Sequence, residues 1–141
     1  MTRVCIFGAG AIGGYLGAAL HEAGADVSLV ARGPHLAAIR DNGLGLEKGG
    51  TTTRYRLAAS DKSADLGKQD YVILAIKAHT IPMIIDDLAP LLGPDTAVVS
   101  AVNGLPWWYF HKAQTGTALD ETPLEAVDPG GRVWNEIGPE R

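Results

Sequence analysis

The sequence predicts an α/β protein with a doubly wound, mainly parallel sheet and helices on both faces. Apolar runs alternate along the chain with amphipathic stretches, which is the order expected of βαβ units. One run, residues 71–76 (YVILAI), is almost entirely apolar, as expected for a parallel strand covered by helices on both faces. At 141 residues, the chain is long enough for one domain with a substantial core. We therefore expect a single domain over residues 1–141.

The predicted elements follow one another regularly up to about residue 102. Strands are expected at residues 3–7, 26–31, 44–48, 52–58, 71–76 and 96–102, and the strand at 71–76 is expected in the middle of the sheet. Helices are expected to begin near Ile12, Pro34 and Ile81, and to end near Gly24, Gly43 and Gly93. The helix from Ile81 should turn Asp86 and Asp87 outward. Beyond residue 102 the alternation fails, so residues 112–141 are expected to form an irregular extension with one short element at 132–137.

Composition and charge exclude several classes of protein. The net charge of -4, without a basic patch, argues against a nucleic-acid partner. No apolar run approaches the roughly 18 residues of a membrane span, and too few residues precede the glycine-rich loop for a signal peptide. We therefore expect no membrane contact and a cytoplasmic location. The single cysteine, Cys5, lies in an apolar strand pattern and is expected in the core, and no histidine has the spacing of a metal ligand.

The first strand leads into a glycine-rich loop of the pattern G-x-G-x-x-G. This loop comprises Gly8, Ala9, Gly10, Ala11, Ile12 and Gly13, and it opens the first helix, which is the context in which the pattern binds a dinucleotide. Gly8 permits the tight turn, Gly10 lets the backbone approach a pyrophosphate, and Gly13 lets the helix pack closely on the strand. The N-terminus of the helix offers free N–H groups to phosphate oxygens. The pattern therefore predicts a Rossmann-type domain that binds a dinucleotide, a glycine-rich turn without a ligand being the alternative.

The end of the second strand indicates which dinucleotide is bound. An NAD site usually carries Asp or Glu there to bind the ribose 2′-hydroxyl, whereas this chain has Ala31-Arg32-Gly33. Arg32 could hold a 2′-phosphate through charge-assisted hydrogen bonds worth about 1.5 to 3 kcal/mol. We therefore expect NADP(H) as the cofactor, and the alternative is that Arg32 is a solvated surface charge.

Four motifs together, GAGAIG at 8–13, ARG at 31–33, IKA at 76–78 and VNG at 102–104, resemble the N-terminal domain of the ketopantoate reductase (2-dehydropantoate 2-reductase) family. The resemblance implies NADPH-dependent reduction of a 2-keto acid, ketopantoate, to pantoate in the pathway to pantothenate and coenzyme A. It also implies that Lys77 lies beside the cofactor and that Asn103 contacts both cofactor and substrate. Without the resemblance, Lys77 is an exposed lysine at a strand end, and Asn103-Gly104 is a turn dipeptide.

The same resemblance implies that part of the enzyme lies outside this chain. In that family a helical C-terminal domain supplies the lysine that acts as the acid and a glutamate that contacts substrate. We therefore expect that domain to be absent here, no catalytic residue before Arg141, and a fragment that is inactive alone. A homo-oligomer remains open.

Two other functions and one nearby cluster remain open at this stage. The chain could be a free-standing NADPH-binding sensor or interaction module, or part of a Rossmann dehydrogenase for another 2-keto acid or a sugar nucleotide. The aromatic residues 107–110 could line a substrate cleft or pack in the core. His111 beside them has no evident carboxylate partner in the sequence, so no acid–base role is assigned to it.

Overall fold

The computed structural model describes all residues from Met1 to Arg141. Its strands are β1 (Arg3–Phe7), β2 (Asp26–Val30), β3 (Leu44–Lys48), β4 (Thr51–Tyr55), β5 (Ala58–Ser60), β6 (Gln69–Leu74) and β7 (Leu92–Ser100). Five of them form a parallel sheet in the order β5-β2-β1-β6-β7, and β3 and β4 form a separate antiparallel hairpin. The predicted α/β fold of the Rossmann type is confirmed.

The middle strand of the parallel sheet is β1, so the expectation that residues 71–76 form the middle is wrong. β6 lies between β1 and β7, and its Tyr71 is 45% exposed. Ile73 pairs with Val99 of β7, which is 42% exposed on the same face of the sheet. The apolar run therefore reflects burial of one face, through Val72 and Leu74, and partial exposure of the other.

Helices cover the two faces of the sheet unequally. The first two helices, α1 (Ala11–Glu22) and α2 (Gly33–Asn42), pack with Val4 and Ile6 of β1. The opposite face of β1, with Cys5 and Phe7, packs against the segment between β6 and β7 and against Val133 near the end of the chain. This alternation along β1 follows from the two-residue period of a strand. None of the helices combines the length and the apolar character needed to span a bilayer.

The helix predicted from Ile81 to Gly93 is broken into three short pieces. These are a 3-10 helix at Ala78–Met83, α3 at Ile85–Leu88 and a second 3-10 helix at Ala89–Leu91. Pro82 and Pro90 explain the breaks, because proline lacks the N–H that a continuous helix needs. The expected faces are nevertheless present, because Asp86 and Asp87 are exposed and four apolar residues are buried, namely Ile81, Ile84, Ile85 and Leu88. Met83, by contrast, is 75% exposed.

Two strand boundaries also differ from the prediction. The strand expected at 52–58 is two strands, because β4 pairs with β3 in the hairpin while β5 joins the edge of the main sheet beside β2. β7 begins at Leu92 rather than at Thr96, with an irregular register before Ala97. Gly93-Pro94 therefore lies in this irregular part of the strand rather than forming a helix stop.

Residues 101–128 contain no helix or strand, and a short helix follows them. The fourth helix, α4, spans Arg132–Glu136, close to the element predicted at 132–137. The buried carboxylate of Asp128 accepts hydrogen bonds from the backbone N–H groups of Val133 and Trp134, each at 2.8 Å. These bonds satisfy donors at the start of α4 that have no partner within the helix.

Two glycines fix how α1 leaves β1. Gly8 has φ of +105°, and a Cβ there would lie 2.6 Å from a side-chain atom of Ile76. A Cβ at Gly13 would lie 1.9 Å from the carbonyl oxygen of Gly8, so only glycine allows this helix to pack so closely on the loop. Gly10 differs from both, because a Cβ there would meet no atom within 4 Å.

Replacing Gly13 with alanine should therefore destabilise the fold, whereas replacing Gly10 should not. We expect Gly13→Ala to lower the free energy of unfolding by about 2 kcal/mol or more through overpacking. Gly10→Ala should cost at most about 1 kcal/mol, the range for alanine at a helix N-cap. Urea denaturation of both variants and the unaltered chain measures the difference. Equal losses would contradict the packing role assigned to Gly13.

Candidate functional site

An open cleft of about 650 Å³ lies at the edge of the sheet where the parallel strands end. It is lined by the glycine loop after β1, the segment after β6 and the segment after β7. The lining residues are Gly10, Ala11, Ile12, Ala75, Ile76, Lys77, Ala78, His79, Ala101, Val102 and Asn103. The crevice outside the carboxyl ends of the strands is where open α/β sheets bind ligands. The fold therefore brings three of the four sequence motifs to one cleft.

At Gly10 the glycine loop presents bare backbone to this cleft. Gly10 lines the cleft, and the space that its Cβ would occupy is empty. No side chain caps α1, and its first turn carries no acidic residue. The helix start is therefore open to an anion, and the room beside Gly10 fits the close approach of a phosphate.

Lys77 and Asn103 face the cleft from the other two segments. Both residues are exposed, and each comes shortly after the end of its strand, β6 or β7. The amino group of Lys77 and the carboxamide of Asn103 make no hydrogen bond or ion pair within the chain. The cleft thus offers one positive charge and one amide that can both donate and accept hydrogen bonds.

Arg32 is not among the residues that line this cleft. It lies two residues after the end of β2, at the N-cap of α2, and its Nη2 donates a hydrogen bond to Oδ2 of Asp87 at 3.0 Å. The side chains of Arg32 and Asp87 are 64% and 52% exposed. The sequence does not indicate this pairing, because α3 and β2 are separated by more than 50 residues of chain.

His35 contacts the glycine loop, a role that the sequence does not reveal. Its Nε2 lies 2.6 Å from the carbonyl oxygen of Ala9, so this nitrogen donates a hydrogen bond to the loop. His35 belongs to the first turn of α2, which follows the strand next to β1. Neighbouring parallel strands end at the same edge, and this proximity is the only available signal for the contact.

His111 does have a carboxylate partner, contrary to the expectation from sequence. Its Nδ1 lies 2.7 Å from Oε2 of Glu121, and the backbone N–H of Lys112 donates to Oε1 of Glu121 at 2.7 Å. These bonds, the backbone one first, hold the pKa of Glu121 below its ordinary value. His111 and Glu121 line a second open cleft, of about 640 Å³, that contains none of the predicted binding residues. The partner was missed because it lies in a stretch without a regular pattern.

Cys5 and part of the aromatic run 107–110 serve the packing of the core. Burial raises the pKa of the Cys5 thiol to about 12, so Cys5 is a core thiol and not a nucleophile at neutral pH. Trp107 is buried in the core, whereas Tyr109 from the same aromatic run is half exposed. The run therefore serves the core at one position and reaches solvent at another.

The parallel sheet, the glycine loop and the cleft define the class of Rossmann-type dinucleotide-binding domains. Within that class the chain belongs to the ketopantoate reductase PanE/ApbA family, which matches residues 4–108. This is a family of NAD(P)-dependent oxidoreductases, and the match corresponds to its N-terminal domain.

Individual relatives agree with this assignment. The chain is 54% identical to a 2-dehydropantoate 2-reductase from Mesorhizobium japonicum, over 99% of this chain and 42% of the relative. A solved structure described as a ketopantoate reductase from Ralstonia solanacearum MolK2 is 45% identical with a TM-score of 0.86, over 97% of this chain and 42% of that one. A D-mandelate dehydrogenase solved with NADH and anilino(oxo)acetate is 28% identical with a TM-score of 0.68, over 74% of this chain and 35% of that one. The chain thus spans less than half the length of these proteins.

The Glu121 contacts predict a pH dependence of stability. Because the folded state lowers the pKa of Glu121, its contribution is present above the ordinary glutamate pKa and is lost as the pH falls through the lower folded value. We expect the difference in melting temperature between the unaltered chain and Glu121→Gln to shrink between about pH 5 and pH 3. Glu47→Gln, at an exposed carboxylate without a hydrogen bond, is the matched control. A difference that is constant over this range would refute the assignment.

Proposed function

We propose that this chain is the NADPH-binding part of an oxidoreductase that resembles 2-dehydropantoate 2-reductase and reduces a 2-keto acid. The observation that carries the proposal is the cleft in which the unobstructed backbone at Gly10 lies together with Lys77 and Asn103. In this arrangement a pyrophosphate can bind at the start of α1, while the ammonium of Lys77 and the amide of Asn103 line the rest of the cleft. The name and sequence identity of the Mesorhizobium relative support ketopantoate as the substrate class.

The choice of NADPH over NADH rests on the residue that follows β2. A carboxylate there would repel a 2′-phosphate, whereas Arg32 can donate several hydrogen bonds to it. The D-mandelate dehydrogenase with NADH indicates that relatives of similar fold take the cofactor without this phosphate. Arg32 is therefore the feature that distinguishes the two cofactors in this chain.

The bound dinucleotide would supply a hydride to the keto carbon. In this proposal the N–H groups at the start of α1 hold the pyrophosphate, and the ammonium of Lys77 lies beside the cofactor. The amide of Asn103 contacts cofactor and substrate and orients the substrate. The carbonyl oxygen must receive a proton, and we expect its donor to come from outside this chain. Lys77 and His79 both line the cleft, but neither side chain has a partner that would activate it as an acid. Cofactor binding and turnover are then separate properties.

A related activity has support from one comparison. The D-mandelate dehydrogenase was solved with anilino(oxo)acetate, in which an amide carbonyl lies between a carboxylate and an arylamine, so that it resembles an aryl 2-keto acid in shape. Reduction of an aryl 2-keto acid is therefore the second candidate. NMR titration of the NADPH-bound chain with ketopantoate and with benzoylformate discriminates the two, since the preferred class should shift the Asn103 side-chain amide at lower concentration.

Titration with NADPH and NADH tests the cofactor assignment. We expect NADPH to bind about 10-fold more tightly than NADH, and Arg32→Ala to remove most of this difference. Arg56→Ala, at an exposed arginine without an ion pair, should leave both dissociation constants unchanged. Isothermal titration calorimetry gives all of these constants. An unchanged NADPH constant in Arg32→Ala would refute the role of Arg32.

Turnover by the 141-residue chain tests the proposed division of labour. We expect no oxidation of NADPH that depends on ketopantoate, measured by absorbance at saturating cofactor, because positioning and proton donation contribute several orders of magnitude in rate. The control is NADPH binding by the same sample. Ketopantoate-dependent oxidation would show that this chain holds its own proton donor.

A further inference from the structure

Arg32, the side chain proposed above to bind the 2′-phosphate, forms an ion pair with Asp87. The Arg32 guanidinium and the Asp87 carboxylate meet at 3.0 Å, and both side chains are more than half exposed. The pair therefore faces solvent, from which a ligand can reach the guanidinium.

Asp87 has no partner other than Arg32, while its neighbour is held elsewhere. Asp86 accepts a hydrogen bond from Nη2 of Arg132 at 2.8 Å. Arg132 also donates to the carbonyl oxygen of Pro82 and to Glu136, which fixes α4 against this segment. The two adjacent aspartates thus hold two different arginines, one that joins elements of the fold and one at the proposed cofactor site.

A carboxylate and a phosphate make the same demand on a guanidinium. Each accepts two N–H bonds from its planar fork, so they compete for the same donors. Exposed ion pairs contribute little to stability, and a phosphate with a larger charge can displace Asp87 from Arg32. The displaced carboxylate stays nearby on α3 and repels the phosphate.

We propose that Asp87 limits the preference of this chain for a 2′-phosphorylated dinucleotide, by competing with the phosphate for Arg32. This inference rests on the proposed role of Arg32 in NADPH binding. NADH has no 2′-phosphate, so its binding does not require displacement of Asp87. Asp87 accordingly helps to determine cofactor specificity, although it lies on α3, for which the sequence pattern predicts only a packing role.

The test is a set of dissociation constants for NADPH and NADH in matched variants. Asp87→Asn should tighten NADPH binding about 2- to 5-fold and change NADH binding by less than about 2-fold. Asp86→Asn removes the same charge one residue away and leaves the Arg32 pair intact, so its effect on NADPH should be clearly smaller. Asp41→Asn, on the exposed side of α2, is a second charge control if loss of the Arg132 contact disturbs α4.

A double-mutant cycle separates this inference from the proposal beneath it. In the Arg32→Ala background, Asp87→Asn should no longer tighten NADPH binding. If Arg32→Ala weakens NADPH binding but Asp87→Asn acts no more strongly than the charge controls, competition by Asp87 is refuted and the role of Arg32 stands. Weaker NADPH binding in Asp87→Asn would also refute it, because Asp87 would then position Arg32. If the unaltered chain does not bind NADPH, both proposals fail.

Discussion

The close approach of α1 to the loop after β1 is the constraint on which the rest of the site depends. Because a Cβ at Gly13 would lie 1.9 Å from the carbonyl oxygen of Gly8, the helix starts in one position relative to the strand. β1 is paired on both sides, with β2 and β6, so this position is fixed in the middle of the sheet. The hydrogen bond from His35 to Ala9 holds the loop from the side of α2. The start of α1 is thereby directed at the cleft by packing that needs no ligand.

Parallel pairing then gathers the remaining polar groups. Arg32, Lys77 and Asn103 each follow a different strand of the same sheet, and parallel strands end at a common edge. Groups that are far apart in sequence are therefore placed along one rim, with the cleft between β1, β6 and β7 and the arginine beside β2. On α3, Asp87 contacts this rim at Arg32, and the adjacent Asp86 binds Arg132 of α4.

The sequence predicts what depends on local pattern and misses what depends on distant partners. β1 and β3 have the predicted bounds, and β2 and α1 differ by one or two residues, because glycines and apolar periodicity mark their ends. The composition of a single strand does not determine which strands lie beside it. The apolar composition of β6 is therefore a poor guide to its position in the sheet, and the prediction that it forms the middle strand is wrong. Pro82 and Pro90 could have predicted the broken helix, since each removes a backbone donor. The partners of Arg32 and His35 could not have been predicted, because each contact joins elements separated by at least 26 residues.

The three glycines of the loop are required for different reasons, two for packing and one for the approach of a ligand. This difference affects how such domains can change during evolution. Gly8 and Gly13 are required by the chain's own backbone and neighbours, so a descendant that had stopped using a cofactor would still need both in order to fold. Gly10 meets no such requirement and would be free to drift once no phosphate had to approach it. Retention of the outer two glycines in a descendant would therefore indicate only that the fold is kept, whereas retention of the middle glycine would indicate that a phosphate is still bound.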